Sequence, residues 1–156
     1  MTLTLEHVAR WTLPKVEPGR ALAASELRTL RDIAEIVLEG SPVDIPFEEI
    51  AENLDRFLVK GRSKRAWRCR LLLTLVEYTP IAMFGRPLRM LTKAERRRFV
   101  VERVIEGKHL YGICAKVRYL AMFGAYGDRR AYAATGFVPA EKRTRLQKAE
   151  AQRSLQ

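Results

Sequence analysis

The chain has 156 residues, of which 47% are apolar and 30% are charged, with a formal net charge of +11. This composition is that of a globular protein and excludes a disordered one, and the length suits one domain with a single core. With two histidines and no Cys-x-x-Cys pair, a zinc site would lack ligands unless carboxylates filled in, and Cys69 and Cys114 are expected to be buried, reduced thiols.

The charge is divided unevenly along the chain. Residues 1–55 contain 5 basic and 11 acidic side chains, a net charge of −6, whereas residues 56–156 contain 24 and 7, a net charge of +17. Such asymmetry predicts either an acidic partner for the basic part or internal pairing between the two halves.

Three regions follow from the distribution of prolines, glycines and apolar periodicity. Residues 1–22 contain Pro14, Pro18 and Gly19 and show no sustained apolar period, which predicts an extended N-terminal arm. Residues 23–139 are predicted to form the helical domain, and residues 140–156 a basic, polar tail.

Two amphipathic helices are predicted first. Ser25 is the expected N-cap of a helix over 25–39, which Gly40 terminates. Pro46 opens a second helix, with two glutamates in its first turn, that ends near Gly61. The side chains expected to face inward from the second helix are Phe47, Ile50, Leu54, Phe57 and Leu58.

The third predicted helix spans 64–79 and has apolar residues around most of its circumference, notably Trp67 and residues 71–76. Such a helix is expected at the centre of a bundle. Pro80 should end or kink it and leave 81–90 irregular or as short helical turns.

Thr92 and Glu95 form a capping box that opens a helix to about Gly107, with Arg96, Arg97 and Arg98 mostly outside. The side chains expected to be buried from this helix are Phe99, Val100 and Val104.

A fifth helix is predicted to end at about Tyr126. Asp128 can cap a sixth over 129–135, with Gly136 as its stop and Phe137 folding back. The inward positions of the fifth helix are Leu110, Ile113, Cys114, Val117, Leu120 and Ala121. Since no segment has the alternation of a strand, the predicted fold is an all-α, single-domain bundle of about five to six helices.

Basic residues cluster at 60–70, 86–103 and 142–153. If the clusters met on one face they would form a phosphate-binding stripe, although no DNA- or RNA-binding motif accompanies them. A basic helical nucleic-acid-binding protein is therefore the alternative function. A peripheral membrane protein that uses residues 71–84 is less favoured, because Glu77 in that run fits a core better.

No catalytic group is expected in this chain. His109 has no serine, cysteine or carboxylate at a spacing that would make it a general base. Glu77 lies in an apolar run, where it is either an unpaired buried carboxyl or a carboxylate paired with Arg70 or Arg103; we favour pairing.

Several aromatic residues have two open interpretations: they fill the core, or they form an arginine-rimmed protein contact. These residues are Phe84, Tyr111, Tyr119, Phe123, Tyr126, Tyr132 and Phe137.

Three short motifs carry a family resemblance: Gly85-Arg86-Pro87, the helix start LTKAER at 91–96, and Tyr126-Gly127-Asp128 followed by Gly136-Phe137. Together with LRTLRDIAEIVLEG and ENLDRFL in the first half, they make the chain resemble a helical module of flavin-dependent glucose-methanol-choline (GMC) oxidoreductases. That module occurs as an N-terminal extension of the flavoprotein or as a separate small subunit akin to gluconate 2-dehydrogenase subunit 3.

The resemblance implies a non-catalytic accessory subunit in a heteromer with an FAD-dependent alcohol, sugar or steroid dehydrogenase. The sequence has no Gly-x-Gly-x-x-Gly, so FAD is expected in the partner subunit. The sequence begins without a twin-arginine leader, which favours the cytoplasm. The expected partner-interface residues are Trp11, Phe84, Arg86, Tyr126, Asp128, Tyr132 and Phe137.

Overall fold

A computed structural model describes residues 13–61, 66–107 and 109–135, and every regular element within these ranges is helical. The all-α prediction is confirmed. Trp11, Gly136, Phe137 and the basic tail lie outside the described residues. No helix in the described ranges is both long enough and apolar enough to cross a membrane.

The α-helices are α1 (Ala24–Val37), α2 (Phe47–Lys60), α3 (Ala66–Tyr78), α4 (Ile81–Phe84), α5 (Lys93–Phe99), α6 (Val117–Tyr126) and α7 (Arg129–Thr135). A 3-10 turn, Leu88–Met90, precedes α5, and a π-helical segment, Val100–Ile105, continues it. A longer 3-10 segment, His109–Lys116, leads into α6. The helical turns predicted after Pro80 and the capping box of α5 are both confirmed, since Glu95 N–H donates to Thr92 Oγ1 and Thr92 N–H to Glu95.

The first helix begins one residue before the predicted N-cap, and Ser25 as N-cap is wrong. The cap residue is Ala23, whose N–H donates to Glu26 Oε2 at 2.7 Å. Glu26 is buried and also accepts from the guanidinium of Arg70. The helix start is therefore held by a buried carboxylate that accepts from the N–H of the cap residue itself, the half of a capping box that needs no serine hydroxyl.

The centre of the bundle is α1, and the prediction that the third helix is central is wrong. Helix α1 packs against α2, α3, α6 and the π segment, and Leu30 and Ile33 are fully buried. Helix α3 packs against α1, α6 and the two 3-10 segments, leaving Leu75 39% and Tyr78 49% exposed. An apolar circumference does not make a helix central when neighbours cover only part of it.

Two other side chains expected to face inward are exposed: Phe57 is 54% exposed and Ile113 is 48% exposed. On α2 the buried row is formed by Ile50, Leu54 and Leu58, four residues apart. Phe57 lies three residues after Leu54, at the edge of the buried face, where its ring reaches the surface.

The basic α5 pairs with the acidic α1 and with Glu39, two residues after that helix ends. Arg96 lies 3.0 Å from Asp32, Lys93 lies 3.1 Å from Glu35, and Arg97 binds Glu39. Arg96 is only 20% exposed, so its predicted outside position is wrong. Of the two explanations for the charge asymmetry, an acidic partner or pairing between the two halves of the chain, α5 shows the second. Elsewhere in the same cluster, Arg86 pairs with Glu95, Arg89 with Glu77, and Arg98 with Glu102.

Glu77 is buried, and the favoured pairing is confirmed with Arg89 as a cation, whereas Arg70, one of the two expected partners, binds Glu26. Glu77 instead accepts from the Thr29 hydroxyl at 2.8 Å and from Arg89 N–H at 3.3 Å. The Arg89 guanidinium lies 3.8 Å away. These donors satisfy a carboxylate that burial would otherwise penalise.

Both cysteines are free thiols, Cys114 buried and Cys69 half-buried. Burial raises the pKa of both thiols, which favours their protonated form.

Candidate partner-docking surface

Helix α6 is apolar on two faces, and among the described residues only one of these faces is packed against other elements. Val117, Ala121 and Ala125 are fully buried against the core. On the opposite side, the outer face of α6 consists of Tyr119, Met122 and Phe123, which are 56%, 38% and 46% exposed. A helix that is apolar all round is normally covered all round, so this face is a candidate contact surface.

A second helix extends this surface with another aromatic ring. Phe57 of α2 and Phe123 of α6 pack with their ring centroids 4.6 Å apart and an interplanar angle of 64°. Both rings remain about half exposed. The two phenylalanines thus stabilise each other edge to face while presenting apolar surface to solvent.

A glycine sets the separation of the two helices that carry this pair. A β-carbon at Gly124 would lie 2.4 Å from the carbonyl oxygen of Ile50, closer than packed atoms can approach. The absence of a side chain therefore allows α6 to approach the backbone of α2. Phe123, the neighbouring residue, is held beside Phe57 as a result.

The phenylalanine pair lines a groove of about 560 Å³ between α2 and the α6–α7 junction. We call it the Phe57–Phe123 groove, with the two rings as its floor and the cations that line it as its rim. Three exposed cations also line it: Arg56, Lys60 and Arg129. Arg56 binds the Asn53 side-chain oxygen and the Glu52 carbonyl. Within the described ranges, no carboxylate lies in ion-pair contact with any of the three, so the rim carries uncompensated positive charge.

Asp128 is the acidic residue of this groove, and its charge is already engaged. Its carboxylate accepts from the Arg130 N–H at 2.9 Å, from the Arg130 guanidinium, and from Asn53 Nδ2 at 3.0 Å. The bonds from Arg130 hold the pKa of Asp128 well below its usual range, with Asn53 adding to the effect. The predicted capping of the last helix by Asp128 is confirmed, because the Arg130 N–H belongs to its first turn.

The residues predicted for the partner interface lie in two regions. Tyr126, Asp128 and Tyr132 lie at the α6–α7 junction; Tyr126 is half-buried against the core, with its hydroxyl 3.2 Å from that of Ser41. Phe84 packs against the core from α4, and Arg86 follows it and pairs with Glu95. Among these residues Asp128 lines the groove, while Trp11 and Phe137 lie outside the described residues.

Sequence reasoning missed Phe57, Arg56 and Arg129 as site residues and placed Lys60 only in the basic cluster at 60–70. One signal was available on α6, where Tyr119, Met122 and Phe123 follow the three- and four-residue spacing of a helix face opposite the buried one. No sequence signal indicated that α2 would place Phe57 beside that face, because the contact depends on the close approach at Gly124.

A second groove, of about 540 Å³, lies between the end of α1, the following loop and α5. Its cations are Lys93, Arg96 and Arg97; the first two pair with Glu35 and Asp32 of α1, and Arg97 pairs with Glu39, just after that helix. Its charge is therefore used inside the fold, unlike that of the Phe57–Phe123 groove.

Comparisons with models of protein families, with curated proteins and with solved structures found no match to the chain. Among the described residues, no group of three or more histidine, cysteine, aspartate or glutamate side chains is arranged to hold a metal ion.

Proposed function

We propose that this chain is a non-catalytic accessory subunit that binds and stabilises an FAD-dependent dehydrogenase of the GMC class. The partner oxidises an alcohol group of a sugar, a steroid or another alcohol by hydride transfer to its own FAD. The present chain contributes no catalytic group and covers apolar surface of the larger subunit.

The observation that carries the proposal is the exposed outer face of α6, formed by Tyr119, Met122 and Phe123. Aromatic residues and methionine are enriched at protein contacts, and covering a half-exposed phenyl ring contributes roughly 1 kcal/mol. A contact of this kind supports a binding role. The class of the partner rests on the resemblance carried by the Gly85-Arg86-Pro87, LTKAER and Tyr126-Gly127-Asp128 motifs.

Co-expression with a GMC-class flavoprotein tests the proposal, with the genes that neighbour this one as the first candidates to search. The two chains are expected to elute together in size-exclusion chromatography, with the flavin absorbance in the same peak. Met122→Glu places a charge on the outer face of α6 and is expected to abolish co-elution. Met90→Glu is the matched control, because Met90 is 58% exposed on the 3-10 turn before α5. Separate elution of the two wild-type chains at micromolar concentrations would contradict the proposal.

Nucleic-acid binding is the competing function, and the pairing of α5 counts against it. The cations of α5 that would contact phosphates are held by Asp32, Glu35 and Glu39. A salt titration separates the two functions: phosphate contacts weaken steeply between about 50 and about 200 mM salt, whereas an apolar heteromer survives that range.

A further inference from the structure

The chemistry of the Phe57–Phe123 groove restricts what can occupy it. Its floor is two half-exposed phenyl rings, and Arg56, Lys60 and Arg129 line the same groove. The floor requires apolar side chains in the occupant, because covering the rings removes apolar area from water. The rim requires negative charge, because its cations have no carboxylate partner in the described ranges.

A second copy of the chain and its basic tail are both poor sources of such an occupant. A second copy would carry the same net charge of +11 and bring like charges together. Residues 140–156 contain five basic and two acidic side chains, so they would meet a rim of the same sign. Charge complementarity therefore favours a different molecule.

A polypeptide fits the groove better than a nucleic acid does. Phe57 and Phe123 meet edge to face, at 64°, so they do not offer parallel faces on which successive bases stack. Outside the groove lining, the outer face of α6 also exposes Tyr119 and Met122, which suit apolar side chains.

We propose that the Phe57–Phe123 groove binds an acidic, apolar segment of a partner protein. Aromatic or aliphatic side chains of that segment cover the two rings, and aspartate or glutamate side chains beside them pair with Arg56, Lys60 and Arg129. This inference deepens the proposed function, on which it rests for the existence of a protein partner. It assigns to that partner a surface segment of stated chemistry.

A selection of random peptides displayed on phage against the full chain tests the inference without the dehydrogenase. The enriched peptides are expected to combine a negative net charge with aromatic or aliphatic residues at helical or alternating spacing. The affinity of one enriched peptide, measured by fluorescence anisotropy, is expected to fall about tenfold or more in Phe57→Ala and in Phe123→Ala. Tyr78→Ala, which removes a half-exposed ring from α3, is the control and should leave the affinity unchanged.

A double charge reversal, Lys60→Glu with Arg129→Glu, tests the rim separately. Both side chains are exposed, so this variant is expected to fold normally. It should lose the acidic peptide and gain affinity for the same peptide with lysine in place of each acidic residue. Salt should weaken binding of the acidic peptide to the wild-type chain and have little effect on an uncharged analogue.

Three results would overturn the inference: no peptide is enriched, the enriched peptides are basic, or binding is insensitive to Phe57→Ala. An oligouridine that binds the wild-type chain and is lost in Phe57→Ala, with no acidic peptide bound, would instead assign the groove to single-stranded nucleic acid. The outcomes for the two proposals remain distinct. If a dehydrogenase co-elutes equally well with the charge-reversed variant, the groove is not its binding site, but the chain is still an accessory subunit. If the groove binds an acidic peptide but no dehydrogenase co-elutes, the peptide-binding inference stands and the accessory-subunit proposal is refuted.

Discussion

Arg96 of α5 and Asp32 of α1 form an ion pair of 3.0 Å between side chains that are 20% and 5% exposed. The pair joins the acidic first half of the chain to the basic second half. Asp32 also accepts from Arg31 at 2.7 Å, so one buried carboxylate is held by two guanidinium groups. The charge asymmetry of the sequence is therefore partly used to attach α5 to the central helix.

Arg96→Ala is expected to destabilise the fold by about 1–3 kcal/mol, because it removes a charged partner from a buried carboxylate. Arg98→Ala is the matched control: Arg98 is 67% exposed and pairs with Glu102 one turn away. The control is expected to cost less than about 0.5 kcal/mol. Urea unfolding followed by circular dichroism measures both, and equal losses would show that burial of Asp32 is irrelevant to the pair.

Gly124→Ala is expected to lower the melting temperature markedly. The new β-carbon would meet the carbonyl oxygen of Ile50 at 2.4 Å, a backbone atom that cannot rotate away, and separating α6 from α2 costs about 1–3 kcal/mol. Gly112→Ala is the control, because a β-carbon there has no neighbour within 4 Å. A Gly124→Ala protein as stable as the control would rule out the close approach of the two helices.

Asp128→Asn is expected to make the protein less sensitive to acid. The pKa of Asp128 is lower in the folded chain than in the unfolded one, so its charge contributes stability above its ordinary pKa of about 3.9. That contribution is lost as the pH falls through the folded pKa. Asparagine also caps helices well, so the substitution removes the charge and keeps the cap. The difference in melting temperature between wild type and variant should be full above about pH 5 and shrink on acidification; a constant difference would contradict this account.

Phe57→Ala combined with Phe123→Ala is expected to leave the isolated chain folded, at a cost of about 1–2 kcal/mol, since both rings are half exposed and lose mainly each other. Phe99→Ala is the reference for a core residue: Phe99 is fully buried and its truncation should cost about 3–5 kcal/mol. Guanidinium unfolding compares them. If the double variant lost as much stability as Phe99→Ala, the pair would belong to the core and not to a docking surface.

Local signals in the sequence determined most of the helices. The Thr92–Glu95 capping box, the stop before Pro80 and the cap at Asp128 are short-range features, in which each partner lies within a few residues, and all three are present as predicted. The start of α1 was missed although its contact is equally local, from Ala23 N–H to Glu26 three residues on, because the cap residue is an alanine with no side-chain acceptor and the nearby Ser25 was chosen in its place.

Tertiary packing decided what the helix patterns left open. The apolar circumference of α3 predicted a central position for this helix. The neighbours that cover a helix depend on its place in the bundle, however, and here α1 lies at the centre while Tyr78 of α3 is exposed. The same holds for the candidate site. The sequence places an aromatic face on α6, but only the close contact at Gly124 sets Phe57 beside Phe123, since residues this far apart along the chain meet only where two helix backbones approach each other.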